Sequence, residues 1–248
     1  MLLEAQILLG VLLTSILSGV IGMGGGLILM GLYAVLLPVQ PAMILHGVTQ
    51  LASNGFRAYL HREHIQWRIL KPYFFGALIV FTVLRYFAFV PSKAFLLIAL
   101  GSFTFISFIP YVADRLDILK RYRAFLCGAM VTVAQILAGA SGGVLDVFYV
   151  NSSLNKHKVI GSKAMTQSLG HFSKLIYYIS LTAAGSSLSA ELKWWIYPGV
   201  ALTAFIGTRI GKVILDRLSE HNFRRYSKIL ILMIGSLLVW RGLQLLIL

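Results

Sequence analysis

Gly22-Met23-Gly24-Gly25-Gly26 stands between two apolar runs, Leu2 to Ile21 and Leu27 to Leu37, and decides how the chain must be read. A related cluster, Gly139-Ala140-Ser141-Gly142-Gly143, follows 117 positions later. The same offset carries Thr49-Gln50 onto Thr166-Gln167, Asn54 onto His171 and Arg57 onto Lys174. Matches at one constant spacing indicate an internal duplication. Within long hydrophobic sequence a glycine cluster breaks a helix and frees backbone groups that lipid cannot satisfy. Such breaks survive where they are buried in protein or line a cavity, so they point to a binding site.

The composition sets the class. The 248 residues are 58% hydrophobic with a mean hydropathy of +0.83, which excludes an ordinary soluble domain and indicates repeated spans of about 20 residues. The net charge of +14 would suggest a nucleic-acid partner in a soluble protein. Here the Lys and Arg residues gather in loops between apolar runs, where they set topology, so no nucleic acid is expected. The single cysteine, Cys127, gives neither a disulfide framework nor a thiolate metal site, and no cofactor is expected. The start carries Glu4 and no basic leader segment, so it reads as a first membrane helix.

Each glycine break precedes a short apolar piece. Leu27 to Leu37 is 11 residues, about half a bilayer, and stops at Pro38-Val39-Gln40-Pro41; Val144 to Val150 is shorter still. Full spans are expected over Ala42–Leu60, Pro72–Val90 and Ala94–Ile109, then over Val159–Thr182, Trp194–Val213 and Ser227–Leu246. Polar loops are expected at His61–Lys71, Tyr111–Arg123, Asn151–Lys158 and Asp216–Arg225, with Ala183–Leu192 a small-residue loop. If each broken segment crossed the membrane once, the basic loops would fall almost equally on both sides. If each is a hairpin, fourteen basic loop residues from Arg62 to Lys228 share the cytoplasmic side, and only Lys93, Lys193 and Arg241 face out. The hairpin arrangement therefore predicts an all-α polytopic membrane protein of two inverted repeats, residues 1–123 and 124–248. Each repeat is a broken, re-entrant helix hairpin followed by three transmembrane helices, and both termini are extracytoplasmic.

The chemistry follows from the breaks. A half helix that starts at glycine deep in the membrane presents unpartnered N–H groups and the positive end of its dipole. Two such ends facing each other would hold a small anion without a fully charged side chain. The candidate substrate-binding residues are Gly22, Gly24, Gly25, Gly26, Gly139, Ser141, Gly142 and Gly143, with Thr49, Gln50, Thr166 and Gln167 in mid-span. The bland readings are close glycine-mediated helix packing and polar helix-to-helix bonds. Ionisable residues inside spans are candidates for coupling or charge pairing: Arg85, Asp146, His171 and Arg209. His46 offers a second titratable ring. Arg57, Lys163 and Lys174 read as snorkelling cations near span ends.

The order apolar helix, Gly-x-Gly-Gly-Gly, half helix and polar span, repeated once, resembles the sulfite exporter TauE/SafE family over nearly the whole chain. The resemblance rests on Gly22, Gly24, Gly25, Gly26, Gly139, Gly142, Gly143 and the duplicated Thr-Gln spans. It implies transport of small anions, notably sulfite, thiosulfate and sulfonates, across the bacterial inner membrane, with the glycine segments as the substrate path. Two departures are Gly-Ala-Ser-Gly-Gly in the second motif and Asp146 in the half helix after it. The partners expected are a small inorganic or organosulfur anion and the lipid bilayer; assembly into a homo-oligomer is left open. Two rival readings are a rhomboid-like intramembrane serine protease using Ser141 and His171, and a non-transporting membrane scaffold.

Overall fold

In the computed structural model the described residues are 2–21, 24–88, 90–106, 115–149, 152–183 and 192–247, and among them the fold is helical with no strand. Gly22 and Met23 lie outside this set, as do 107–114 and 184–191, on which parts of the expected Tyr111–Arg123 and Ala183–Leu192 loops fall. The helices are α1 (Leu2–Ile21), α2 (Gly25–Leu36), α3 (Val39–Leu60), α4 (Trp67–Phe87), α5 (Lys93–Ile106), α6 (Arg123–Leu137), α7 (Gly142–Tyr149), α8 (Lys156–Ala183), α9 (Ile196–Arg217) and α10 (Glu220–Ile247).

The two short helices stand where the sequence places them. α2 ends because Leu37 is extended ahead of Pro38, whose ring disfavours helical backbone in the preceding residue. Two other boundaries differ from expectation. The loop expected over His61–Lys71 holds only a 3-10 turn, Arg62–His64, because α4 already starts at Trp67. Pro72 then lies in the second turn of α4, where it removes one backbone bond close to the helix start. The loop expected over Asp216–Arg225 shrinks to Leu218-Ser219, since α10 begins at Glu220. Its basic residues are good helix formers, and charge at a water-facing end does not stop a helix.

Among the described residues three helices, α1, α4 and α9, are long and apolar enough to cross a membrane on length and composition. The helices α3 and α8 are as long but carry buried polar side chains, and they pack against each other. The remaining packing has a regular pattern: α1 lies on α9, α6 lies on α4, and α5 lies on α10. Glycines bring these pairs together. Gly128 and Gly76 meet the facing backbone at Tyr73 and Phe125, Gly211 meets the backbone of Gly19, and Gly101 meets that of Gly235. The main apolar core gathers Ile7, Leu29, Tyr33, Leu45, Ile136, Tyr177 and Val200, while Tyr73, Cys127, Val131 and Phe148 form a second cluster. Large apolar side chains such as Leu9, Phe75, Tyr86, Leu202 and Trp240 face outward, as a lipid-facing surface requires.

Candidate functional site

Two residues make the breaks geometrically possible. Gly24 (φ 79°) and Gly139 (φ 80°) both adopt the left-handed conformation that L side chains resist. Past the first break, α2 closes its ladder when Ile28 N donates to Gly24 O at 3.0 Å; past the second, Leu145 N donates to Ser141 O at 3.0 Å in α7. The amides of Gly25, Gly26, Leu27, Gly142, Gly143 and Val144 therefore start their helices with no acceptor in the ladder.

The two helix starts face a common cavity. Gly24, Gly26 and Leu27 line it from the first break, and Ala140, Ser141 and Gly142 from the second. Gln50 of α3, Gln167 and His171 of α8, and Ser18 of α1 complete the wall. Each glycine start looks at the glutamine of its own half. A Cβ on Gly26 would sit 3.4 Å from the Gln50 amide, and one on Gly142 would sit 3.7 Å from Gln167 Nε2. Gln50 is 2% exposed; its Oε1 accepts from Asn54 Nδ2 at 3.1 Å, while its Nε2 has no partner. A buried donor left unpaired costs about 1–3 kcal/mol. Gln50 lies at the middle of α3, which places the cavity at mid-length of that helix.

Behind the wall runs a hydrogen-bonded network. His46 Nε2 donates to Gly26 O at 2.8 Å. Lys174 Nζ donates to His46 Nδ1 at 2.7 Å and to Gly139 O at 2.7 Å. Gln135 Nε2 reaches Gly139 O at 3.2 Å and His171 Nδ1 at 2.9 Å, and Ser141 Oγ donates to Gln135 Oε1 at 2.7 Å. With Nδ1 accepting from an amide, neutral His171 carries its proton on Nε2.

Three cations are deeply buried: Arg57 at 2% exposure, Lys163 at 1% and Lys174 at 0%. The snorkelling expected of them is thus corrected, since their charged heads turn into the protein. Lys163 pairs with Asp146, the charge-pairing role. The ion pairs among the described residues include neither Lys174 nor Arg57. The interior beside the cavity consequently holds more positive than negative side chains.

Of the candidates drawn from sequence, Gly24, Gly26, Gln50, Ser141, Gly142, Gln167 and His171 come together at the cavity. Gly25 instead packs on α1, where an added Cβ would run into the Thr14 carbonyl and Ser18. Gly139 supplies the turn and an acceptor, and Gly143 is buried in α7 outside the lining. Thr49 Oγ1 donates to Leu45 O at 2.8 Å and accepts from Tyr33 Oη of α2 at 3.2 Å, and Thr166 Oγ1 donates to Lys163 O at 2.9 Å, so both hydroxyls give their protons to their own helices. Arg85 is half-buried and Arg209 exposed, and neither lines the cavity. Sequence reasoning missed Ser18, Leu27 and Ala140 in the wall and Gln135 behind it. Gln135 had a legible signal, being an amide in an apolar run four residues before a glycine break.

The serine-protease reading fails on this geometry. Ser141 gives its proton to Gln135, and Gln135 also occupies His171 Nδ1, so the serine and histidine are not paired. A family model described as "Sulfite exporter TauE/SafE" matches residues 7–238. No curated protein and no solved structure matches the chain. With nearly its whole length covered, the chain belongs to the TauE/SafE family, whose members are membrane permeases for sulfur anions and not enzymes.

Proposed function

We propose that this TauE/SafE permease binds a sulfur oxyanion or sulfonate, such as sulfite or thiosulfate, in the cavity between its two glycine breaks and moves it as a secondary transporter. The observation that carries the reading is the meeting of two helix N-termini and the unpartnered Gln50 amide in one cavity. Helix N-termini supply N–H groups and about half a positive charge each. Gln50 Nε2 and the Nε2–H of His171 add side-chain donors. Lys174 and Arg57 raise the potential behind them, which disfavours cations and draws in anions. A trigonal or tetrahedral oxyanion has several acceptor oxygens, as a site of donors on opposite walls requires.

The inverted-repeat plan, with one integral domain made of halves 1–123 and 124–248, is supported by the packing. Exchanging the first five helices for the last five turns the α1–α9 contact into the α6–α4 contact and leaves α3–α8 and α5–α10 unchanged. A two-fold axis through α3 and α8 would place the cavity between the repeats near the bilayer midplane. The scaffold reading has no use for an unpaired donor in a cavity. Glu4 lies 3.4 Å from Lys193, so the N-terminus shares a side with the residue before α9; the count of Lys and Arg makes that side the outside of a bacterial inner membrane, with both termini there.

The test is flux. Proteoliposomes holding the purified full-length chain should accumulate radiolabelled sulfite or thiosulfate well above empty vesicles. Flux no greater than in empty vesicles for sulfite, thiosulfate and a sulfonate would leave the transport reading without support.

A further inference from the structure

We propose that His46 and Lys174 form the proton site that couples anion movement to pH, an inference that rests on the transport reading above. The hydrogen bonds fix the chemistry. Because His46 Nε2 must donate to the Gly26 carbonyl, its Nδ1 lone pair is the acceptor for Lys174 Nζ. With Lys174 protonated and His46 neutral, the pair shares one proton along this N–H···N contact and carries one positive charge. A second proton, taken from water onto Nδ1, removes the acceptor. The bond to Lys174 then breaks, and two buried cations stand 2.7 Å apart.

That state needs a negative charge nearby, and among the described residues no free carboxylate faces the pair. Facing His46 are Tyr33 from α2, with ring centres 6.2 Å away, and His171 from α8 at 5.3 Å. Arg57 lies three turns along α3 and adds positive charge. Asp146 is taken up by Lys163. The acceptors of Lys174 are a neutral ring and a neutral carbonyl. The cavity is immediately in front, since Gly26 and His171 belong to its wall. An anion in the cavity is therefore the counter-charge that allows the second proton to bind. By reciprocity, protonation tightens anion binding by the same factor.

The pair also spans the two halves. One line of bonds runs from Gly26 O through His46 and Lys174 to Gly139 O, joining the first break to the second. Protonating His46 cuts that line, so proton and anion uptake together release the contact between halves. The relay occurs once: at the 117-residue offset His46 matches Lys163 and Lys174 matches Arg57, two cations that cannot share a proton in this way.

Thiosulfate is the suitable probe, because its own charge does not change near neutral pH. Added to weakly buffered, detergent-purified wild-type protein, it should draw on the order of one proton per anion from solution. In His46→Gln the amide can keep both bonds but does not titrate. That variant should lose most of this uptake, several-fold or more, while thiosulfate still raises its melting temperature. Lys174→Gln removes the paired charge and should likewise uncouple proton uptake from binding. Wild-type protein that binds thiosulfate without proton uptake would overturn the coupling and leave the transport reading standing. Unchanged proton uptake in His46→Gln would overturn the assignment to this pair. A wild-type protein that melts at the same temperature with and without thiosulfate would count against the transport reading itself.

Discussion

Gly142 and Gly25 differ in what a single methyl group would meet. At Gly142 a Cβ finds ordinary contact with Gln167 at 3.7 Å, yet it intrudes into the cavity; at Gly25 it runs into the Thr14 backbone. Gly142→Ala is therefore expected to insert and melt close to wild type while its thiosulfate affinity falls, read by titration in detergent. Gly25→Ala should instead lower the melting temperature, because backbone on α1 must shift. At the buried ion pair, Asp146→Leu leaves Lys163 charged with no counterion and should cost about 3–5 kcal/mol of stability. Adding Lys163→Met should recover most of that loss, which chemical denaturation of both variants can check. A third residue tests pH. Burial, aided by the charges of Lys212 and neighbouring histidines, pushes His61 down from 6.5 to about 4. Its ring is thus neutral in the folded state over a range where the unfolded chain binds a proton. The stability it confers is complete above about pH 6.5 and lost as pH falls towards 4. The melting temperature should drop across that window, and drop less in His61→Gln.

Among the elements, the glycine crossings carry the tightest backbone approaches. A Cβ on Gly128 would overlap the Tyr73 carbonyl, and one on Gly76 the Phe125 carbonyl. Gly128→Leu should force α4 and α6 apart and destabilise by roughly 1–3 kcal/mol or more, seen as a lower melting temperature with or without anion. Half helices, polar mid-spans and most helix limits were legible in the sequence because they follow from local pattern: a glycine cluster, a proline stop, a run of apolar residues. The glutamines at the cavity were legible for the same reason, as lone amides in apolar spans. The partners of Lys174 were not. They sit 128 and 35 residues away on other elements, and a lysine three residues from His171 looks like any snorkelling cation until the helices are packed. Nor does spacing reveal that Thr49 and Thr166 spend their hydroxyls on their own helix backbones while the adjacent glutamines reach the cavity.

In the proposed function the whole molecule joins two halves around one anion, with charge setting orientation and two chain breaks setting the site. Orientation is testable on its own. Cys127 is buried and gives little background for labelling. A membrane-impermeant maleimide should label Lys193→Cys from the outer face of intact spheroplasts, and Arg62→Cys only after permeabilisation; the reverse pattern would turn the molecule over. The position of the anion is the more direct question, and a heavier analogue of sulfite can answer it. In crystals grown with selenite, anomalous scattering should show selenium between the first amides of α2 and α7, within hydrogen-bonding reach of Gln50. Selenium found only at the basic rim near Arg62 and His64, with the space between Gly26 and Gly142 empty, would contradict the account.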